Sequence, residues 1–427
     1  MNKDYSTNKS FVVLITIFIS FTMLFPSTYS MLRIITLFLL VLYVIVFQRY
    51  ISIPKIMLQV LIFYFGANGI AFVWGLLRGA EGVLAVAKPY LLWPFLFTIF
   101  SCVFISHSRI RYVIKLLLVV EALICIIDIW YCFSELGILP GYPAFLLNLQ
   151  MGFSFAKDWV PMRFSTNHVC THIFMFPFTF ALLIDNLIYQ KANWKLILLF
   201  FLEVIAVILS GRIALWVISL ISIIGVYLVE KLTGRIKTSE TRISSIKKRN
   251  RKIILSIIVL IGIIFIVTKY SDKIMTMANA ISVKFVNSFT YNSTEDSTRR
   301  VQSYYLLKGW SDNLLLGNGM GSYCTEYIRD PVSPWDYEMT FHYVLFQGGL
   351  LGILAFALLY GAIIITLWKA FIKRRLDYAE TIPFLFGLLA IIVTSITEPY
   401  LLKSGTMWMV FIPFGIASYS YKTVAIE

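Results

Sequence analysis

Long apolar runs alternate with short polar stretches along almost the whole chain of 427 residues. Most of these runs reach the roughly 20 residues that an α-helix needs to cross the hydrocarbon core of a membrane. Strands of a membrane barrel would instead alternate apolar and polar residues in blocks of about ten. The pattern therefore predicts an all-α polytopic membrane protein, with a single membrane domain over residues 1–427.

The apolar runs predict about twelve membrane-spanning helices. Their predicted bounds are 11–25, 31–47, 56–77, 83–105, 112–133, 168–184, 194–210, 213–229, 253–268, 341–371, 382–396 and 406–419. Lys3 and Lys9 precede the first run as in a signal peptide, but a second run follows almost at once. We therefore expect an uncleaved first helix.

The basic residues predict the orientation of these helices. The largest basic cluster, residues 231–252, lies between two predicted spans, where Lys and Arg hold a loop in the cytoplasm. Both termini are then cytoplasmic, and the short outer turns carry only scattered cations such as Arg33, Arg78 and Lys403. The net charge of +15 is thus explained by topology, and it does not predict binding to nucleic acid.

The longest polar interval, residues 269–340, becomes a large extracytoplasmic loop between the ninth and tenth spans. A second outer loop covers residues 134–167. An interval of this length is too long for a simple connector, so we expect the loop 269–340 to form part of an active site.

Composition adds the membrane class and little else. The hydrophobic fraction is 59% and the mean hydropathy is +0.81, both above the values of soluble proteins. The five cysteines include no CxxC pair, and the four histidines show no zinc-ligand spacing. The sequence predicts no metal site and no cofactor.

Three arginines are candidates for holding a phosphate group. Arg212 follows Gly211 at an outer junction of two spans, and Arg299 and Arg300 lie in a stretch that suits an amphipathic helix. Adjacent helical residues face different ways, so at most one of this pair is expected to point into a site. Guanidinium groups bind diphosphates through bidentate hydrogen bonds. The alternatives are an arginine that reaches the lipid headgroups and a solvated basic turn.

Glu338 and His342 are candidates for proton transfer where the long loop re-enters the membrane. A helix that begins near Ser333 or Pro334 would place the two side chains on one face, as a general base or proton relay. The alternative is an acidic first turn stabilised by the helix dipole. Asp336 and Glu338 also offer two carboxylates to a divalent cation, which is weak evidence for a metal.

Aromatic and glycine residues complete the long loop. Tyr304, Trp310, Trp335 and Tyr337 offer rings on which sugars stack, although membrane-interface belts use the same residues. The glycine-rich residues 317–321 follow no βαβ unit, so they predict a close-packing turn and not a nucleotide site.

Four ionisable residues fall inside predicted spans. Glu121 and Asp128 are seven residues apart and share a helix face, while Lys88 and Glu203 are expected to be buried by position. Such groups are usually functional or paired, and an ion pair of Lys88 with one of the acids is the simplest expectation.

The order of these features resembles the O-antigen ligase and polysaccharide polymerase superfamily of bacterial envelopes. The matching elements are Ser210-Gly211-Arg212, Arg300 followed by Tyr304, the run 315–319 as a "Leu-Gly-x-Gly" motif, and the run 349–352 as a "Gly-Leu-x-Gly" motif. The family's His-Asn pair has no counterpart at the expected position, which is Glu338 here, while His342 follows one turn later. This departure favours the polymerase branch over the ligases.

The resemblance implies a glycosyltransferase of the bacterial inner membrane whose active site faces outward. The donor would be an oligosaccharide on a polyprenyl diphosphate, and the product an O-antigen or capsule polymer. Arg212, Arg300 and Arg299 would hold the diphosphate, His342 or Glu338 would take the acceptor proton, and inversion would proceed without a metal. Membrane lipid, a flippase and a chain-length regulator are the implied partners.

Three other readings of the sequence stay open. A ligase would differ only in the acceptor, which would be lipid A core or another wall polymer. A secondary transporter or lipid-oligosaccharide flippase would use Glu121, Asp128 and Glu203, although the chain shows no internal repeat. A structural protein of a wall-assembly complex would tolerate the loss of Arg212 and Arg300 together.

Overall fold

The computed structural model describes residues 9–48, 53–149, 151–156, 163–189, 193–233, 279 and 294–422. The predicted span 253–268, most of the basic loop 231–252 and the first part of the outer loop 269–340 lie outside these residues. Eleven of the twelve predicted apolar segments contain a described helix, so the all-α class is confirmed.

The described helices follow the apolar runs closely. In chain order they are α1 Lys9–Leu24, α2 Ser30–Tyr43, α3 Lys55–Leu77, α4 Val83–Ala87, α5 Trp93–Ser101, α6 His107–Glu135, α7 Ala144–Leu147, α8 Val169–Tyr189, α9 Trp194–Leu209, α10 Ile213–Leu232, α11 Thr294–Ser311, α12 Thr340–Ile372, α13 Tyr378–Thr394 and α14 Trp408–Lys422. A π-helical turn, Val44–Gln48, extends α2, and another, Lys88–Leu92, joins α4 to α5. Pro89 and Pro94 lack the backbone N–H that a regular helix needs, which explains the second irregularity.

Six helical segments are long and apolar enough to cross a membrane, among the residues that the structure describes. They are Ser30–Gln48, Lys55–Leu77, Val83–Ser101, Val169–Tyr189, Ile213–Leu232 and Thr340–Ile372. The helices α1 and α13 are apolar but shorter. These segments indicate a membrane protein, while the number of twelve spans stays a prediction.

The loop between α6 and α8 carries the two β-strands of the described chain. Strands β1 Ser154–Ala156 and β2 Arg163–Ser165 pair antiparallel, with Phe155 opposite Phe164. This short hairpin lies within the predicted outer loop 134–167.

The helix α12 is broken at Gly349, which has backbone angles of φ 61° and ψ −159°. The glycine-rich segment 317–321 packs into the break: the N–H of Asn318 donates to the Phe346 carbonyl at 2.8 Å, and the N–H of Leu350 donates to the Leu314 carbonyl at 2.9 Å. A Cβ on Gly317 would lie 2.6 Å from the Gly349 nitrogen. The segment is the close-packing turn that the sequence predicts.

Aromatic side chains fill the interior between the helices. Tyr64 of α3 meets Phe356 of α12 at a ring-centroid distance of 5.3 Å, and Phe178 of α8 meets Phe384 of α13 at 4.9 Å. Edge-on contacts of this kind add to the stability gained by burying the rings. They fix the helices whose ends carry the candidate site.

Ion pairs and hydrogen bonds join neighbouring segments at each end of the bundle. At one end Arg111 contacts Asp377 at 2.7 Å and Glu380 at 3.0 Å. At the other, Arg78 contacts Asn318 at 3.2 Å, and Gly82 donates its N–H to the Gly321 carbonyl at 3.2 Å. The charge pattern assigns the end that contains Arg111 to the cytoplasm and the end that contains Arg78 to the outside.

Candidate functional site

A row of four charged side chains joins the long outer loop to the segment between α13 and α14. The Nη2 of Arg329 contacts Glu338 at 2.6 Å, Arg299 Nε contacts the other oxygen of Glu338 at 3.4 Å, and Arg299 Nη2 contacts Glu398 at 2.7 Å. The four side chains are partly buried and alternate in sign, so the row is neutral as a whole.

The first residues of α12 are positioned by neighbouring segments. The fully buried Gln302 of α11, with its amide oxygen turned to them, accepts hydrogen bonds from the backbone N–H groups of Glu338 and Met339 at 3.1 Å each. The Thr340 hydroxyl donates to the Glu398 carbonyl at 2.9 Å. These contacts stabilise Glu338 in a non-helical segment ahead of the helix.

The predicted helix start near Ser333 or Pro334 is therefore wrong, because α12 begins at Thr340. Glu338 and His342 do not share a helix face. Both carboxylate oxygens of Glu338 form ion pairs with arginines, at 2.6 Å to Arg329 and 3.4 Å to Arg299, which stabilise the ionised form of Glu338. Glu338 also cannot join Asp336 as a metal ligand without giving up these ion pairs.

Arg212 lies at the N-cap of α10, directly after the break at Gly211, whose φ is 58°. Its backbone N–H donates to the Ser210 hydroxyl at 3.3 Å. Its Nε is buried and has no hydrogen-bond partner, and the described residues provide it with no ion pair. A guanidinium in this position lacks the anion that would compensate its charge.

The charges of Arg212 and Arg299 both affect the ionisation of Tyr400. Burial raises the pKa of the Tyr400 hydroxyl, and so does the Glu398 carboxylate, whereas the charges of Arg212 and Arg299 lower it in part. Both guanidinium groups therefore act on one phenol, which stays protonated at physiological pH. Tyr400 begins the short 3₁₀ turn Tyr400–Leu402, which the sequence analysis did not single out.

The two adjacent arginines of α11 face different ways, as their spacing predicts. Arg299 is partly buried and contacts Glu338 and Glu398, whereas Arg300 is exposed. Of the two, Arg299 is the one that joins the row of charged side chains with Glu338 and Glu398.

His342 lies in the first turn of α12 and is half-buried. Its Nδ1 is buried and has no hydrogen-bond partner in the described structure. A neutral imidazole with one unengaged nitrogen can accept a proton. His342 therefore stays a candidate for proton transfer.

The predicted glycan-binding aromatics have different surroundings. Tyr304 is 62% exposed and contacts Tyr305, Trp310 donates to the Leu314 carbonyl at 3.0 Å, and Trp335 packs over the backbone of Gly82. Tyr337 is fully buried, and its hydroxyl accepts from the Cys324 N–H at 2.8 Å. The prediction for Tyr337 is wrong, because its ring belongs to the core of the loop.

A cavity of about 400 Å³ opens beside the glycine-rich segment. It is mostly polar, with aromatic rings at its edge; among its lining residues are Arg78, Glu81, Tyr305, Lys308, Asp312, Tyr323 and Glu326. Tyr305 also stacks with Tyr327 at a ring-centroid distance of 6.2 Å. Charged groups and aromatic rings in one concave site are suited to binding a sugar.

A separate network of ionisable side chains is buried between α6, α8 and α9. His172 contacts Glu121 at 2.7 Å through Nδ1 and Asp128 at 3.1 Å through Nε2, and His168 contacts Asp128 at 2.7 Å. Glu203 accepts a hydrogen bond from Thr179 at 2.7 Å. The predicted common face of Glu121 and Asp128 is confirmed, because one imidazole bridges the two.

The histidine partners of these acids were missed in the sequence. His168 directly precedes α8 and His172 lies in its first turn, four residues later, a spacing that was available as a signal. The expected ion pair of Lys88 is wrong: Lys88 is exposed and lines an apolar groove with Phe65, Phe72 and Phe95.

No family model matches this chain, and no curated protein sequence is significantly similar to it.

Proposed function

We propose that the protein is a glycosyltransferase that polymerises a bacterial cell-surface polysaccharide. The donor is an oligosaccharide repeat unit, or a growing chain of them, on a polyprenyl diphosphate in the outer leaflet of the inner membrane. The acceptor is the hydroxyl of another repeat unit. The observation that carries the proposal is the buried Arg212 Nε at the N-cap of α10, which has no hydrogen-bond partner among the described residues.

The diphosphate of the donor is held by Arg212 and Arg299. Arg212 has a buried Nε without a partner, so an incoming diphosphate oxygen would satisfy both its charge and its donor. Arg299 uses Nε and Nη2 for its two glutamates, which leaves the N–H groups of Nη1 for the substrate. Fixed positive charge at this place stabilises the diphosphate as the anomeric C–O bond breaks.

Tyr400 adds a neutral donor to the same place. A phenol that stays protonated can donate a hydrogen bond to a diphosphate oxygen at every physiological pH. A hydrogen bond of this kind to an anion is stronger than one between neutral groups.

His342 takes the proton of the acceptor hydroxyl through its unengaged Nδ1. The acceptor oxygen then attacks the anomeric carbon as the diphosphate leaves from the opposite face, which inverts the configuration. In this proposal Glu338 positions Arg299 and Arg329 and is not the base.

The glycan lies in the polar and aromatic cavity beside the glycine-rich segment, with Tyr305 and Tyr323 as stacking rings. The apolar groove lined by Phe65, Phe72 and Phe95, with a volume of about 480 Å³, is suited to an isoprenoid tail or another lipid chain. The two sites give a lipid-linked sugar a polar and an apolar place on the same protein.

The proposal is tested with surface glycans of a deletion strain that carries the wild-type gene, Arg212→Ala, Arg299→Ala or His342→Ala. We expect each variant to leave single repeat units in place of a ladder of long chains. Lys115→Ala, an exposed cation of α6 outside the site, is the matched control and should keep the ladder. All variants are compared at equal membrane abundance.

The same assay separates the alternatives. Long chains that accumulate on polyprenol in the variants would show a ligase that acts on another acceptor. Loss of activity in Glu121→Gln and Asp128→Asn, with a normal ladder in Arg212→Ala, would show a transporter or flippase. Normal ladders in Arg212→Ala and Arg299→Ala would contradict the proposed catalysis.

A further inference from the structure

The network between α6, α8 and α9 has no role in the proposed transfer, and its donor atoms form a compact set. One donor atom each of Glu121, Cys125 and His172 lies within 4.8 Å of the others, and all three residues are buried. Glu121 and Cys125 are four residues apart on α6 and so share a face, while His172 approaches from α8. Ionisable groups at such depth are costly unless they are paired or bind an ion.

We propose that Glu121, Cys125 and His172 bind one transition-metal ion inside the helix bundle, and that zinc fits the donor set best. A thiolate, an imidazole and a carboxylate are the three ligand types that zinc takes in proteins. Magnesium and calcium require oxygen ligands, which makes a cysteine–histidine pair unsuitable for them.

The surroundings of His172 are those of a metal-bound histidine. Its Nε2 faces Asp128 at 3.1 Å, so that Nδ1 is the atom left for the ion. Asp128 is itself contacted by His168 Nδ1 at 2.7 Å, and His168 Nε2 donates to the Leu24 carbonyl at 2.8 Å. Histidine ligands characteristically donate their second ring N–H to a carboxylate, which fixes the ring.

Two carboxylate oxygens at the site have no partner among the described residues. These are Glu121 Oε2 and Glu203 Oε2, and both glutamates are fully buried. Glu121 belongs to the compact donor set, so a bound ion would give its carboxylate the partner that the described residues do not provide.

The charge of the buried site favours a divalent ion. The contact between His172 Nδ1 and Glu121 at 2.7 Å requires one proton, and the Cys125 thiol, 3.8 Å from the same oxygen, carries another. A divalent ion that displaces these two protons leaves the net charge unchanged. The nitrogen and oxygen would then separate to roughly 3.3 Å, the distance between two ligand atoms around zinc.

The test measures metal in the full-length protein, purified in detergent with a tag that contains no histidine. After incubation with zinc sulfate and gel filtration, elemental analysis should find about one zinc atom per chain. Cys125→Ser and His172→Gln should lower the content at least fivefold. Cys132→Ser, which changes another buried cysteine of α6, should retain the wild-type content.

Cobalt gives a second readout that a folding defect alone does not imitate. Cobalt bound to the wild-type protein and to Cys132→Ser should show thiolate-to-metal absorption in the near ultraviolet, and Cys125→Ser should lose this band. Wild-type protein that remains free of zinc and cobalt would overturn the proposal and leave the site to protons. An unchanged cobalt spectrum in Cys125→Ser would overturn it as well. Neither result depends on glycan synthesis, so failure here is separate from failure of the proposed function.

Discussion

An arginine without a compensating anion is the most informative single residue of the outer site. Among the described residues, the buried Nε of Arg212 has no partner, whereas Arg299 is balanced by Glu338 and Glu398. A partly desolvated charge without a partner is unfavourable in the empty protein and becomes favourable when an anion binds. Arg212 is therefore expected to contribute more binding energy than any other cation of the site.

Replacement of Arg212 should affect the transfer reaction far more than protein abundance. We expect Arg212→Ala to lower the rate about a hundredfold, the usual effect of losing one donor to a developing negative charge. Arg212→Lys keeps the charge but loses the fork and should fall about tenfold. The measurement is polymer formed per unit time by membranes supplied with lipid-linked repeat units. Equal rates in Arg212→Ala and the wild type would contradict the role.

The two arginines of α11 provide a matched pair. Arg299→Lys should reduce polymer formation at least tenfold, because an ammonium cannot bridge Glu338 and Glu398 and also reach a diphosphate. Arg300→Lys, at the adjacent exposed position, should change the rate less than twofold. The same membrane assay compares them, and a larger effect at Arg300 would reverse the assignment.

Tyr400 allows the proposed neutral donor to be tested. Tyr400→Phe removes only the hydroxyl, and we expect about a tenfold lower rate, the value of one charge-assisted hydrogen bond. Because burial and Glu398 raise the pKa of this phenol, the effect should be the same across neutral and mildly alkaline pH. Tyr227→Phe, on the exposed face of α10, serves as the control. A wild-type rate in Tyr400→Phe would remove Tyr400 from the site.

At the scale of elements, the glycine-rich segment 317–321 acts as a wedge between α3 and α12. The N–H groups of Gly319 and Met320 donate to the carbonyls of Gln347 and Ala71 at 3.0 and 2.9 Å. These donors are engaged within the protein and do not form a phosphate cradle. The segment instead fixes the break of α12, and with it the direction of the first turn that carries His342.

Gly319→Ala should therefore destabilise the fold. Gly319 has a φ of 89°, and a Cβ there would lie 2.7 Å from the Cα of Gly75. Gly79→Ala is the matched control, because Gly79 has a φ of 68° and no atom within 4 Å of its Cβ position. The control should cost about 1–2 kcal/mol from the left-handed backbone alone. Thermal unfolding in detergent should show a clearly larger loss for Gly319→Ala, and equal losses would contradict the packing.

The sequence could locate helices but not the contacts between them. The periodicity of α6 places Glu121 and Asp128 on one face, yet only the packing against α8 shows that His172 lies between them. Similarly, no local pattern predicts that Gln302 of α11 accepts hydrogen bonds from the backbone of residues 338 and 339, which lie ahead of the start of α12 at Thr340. Contacts between residues far apart in the sequence therefore determine the position of His172 and the start of α12, which local spacing does not predict.

At the scale of the whole molecule, hydrophobicity was the most reliable guide, because burial in lipid constrains every residue of a span. The candidate site contains residues outside the spans, where hydrophobicity is not required. Tyr400 and Glu398 lie in a short turn between two apolar helices, where sequence alone gives no reason to favour them. Arg212 was recognisable because its charge interrupts an apolar pattern at the junction of two predicted spans.

The orientation of the molecule is the prediction on which the outer site depends. Lys403 lies in the turn next to Tyr400, close in sequence to Glu398, which contacts the first residue of α12. Arg374 follows the last residue of α12, at the other end of this helix. Cys324, the partly exposed cysteine of the described chain, is first replaced by serine. In this background Lys403 and Arg374 are replaced by cysteine one at a time, and each variant is treated with an impermeant maleimide. Lys403→Cys should react in intact spheroplasts, and Arg374→Cys only after permeabilisation, because basic loops remain in the cytoplasm. The reverse pattern would place Arg212 and His342 on the cytoplasmic side, where an outer-leaflet donor could not reach them.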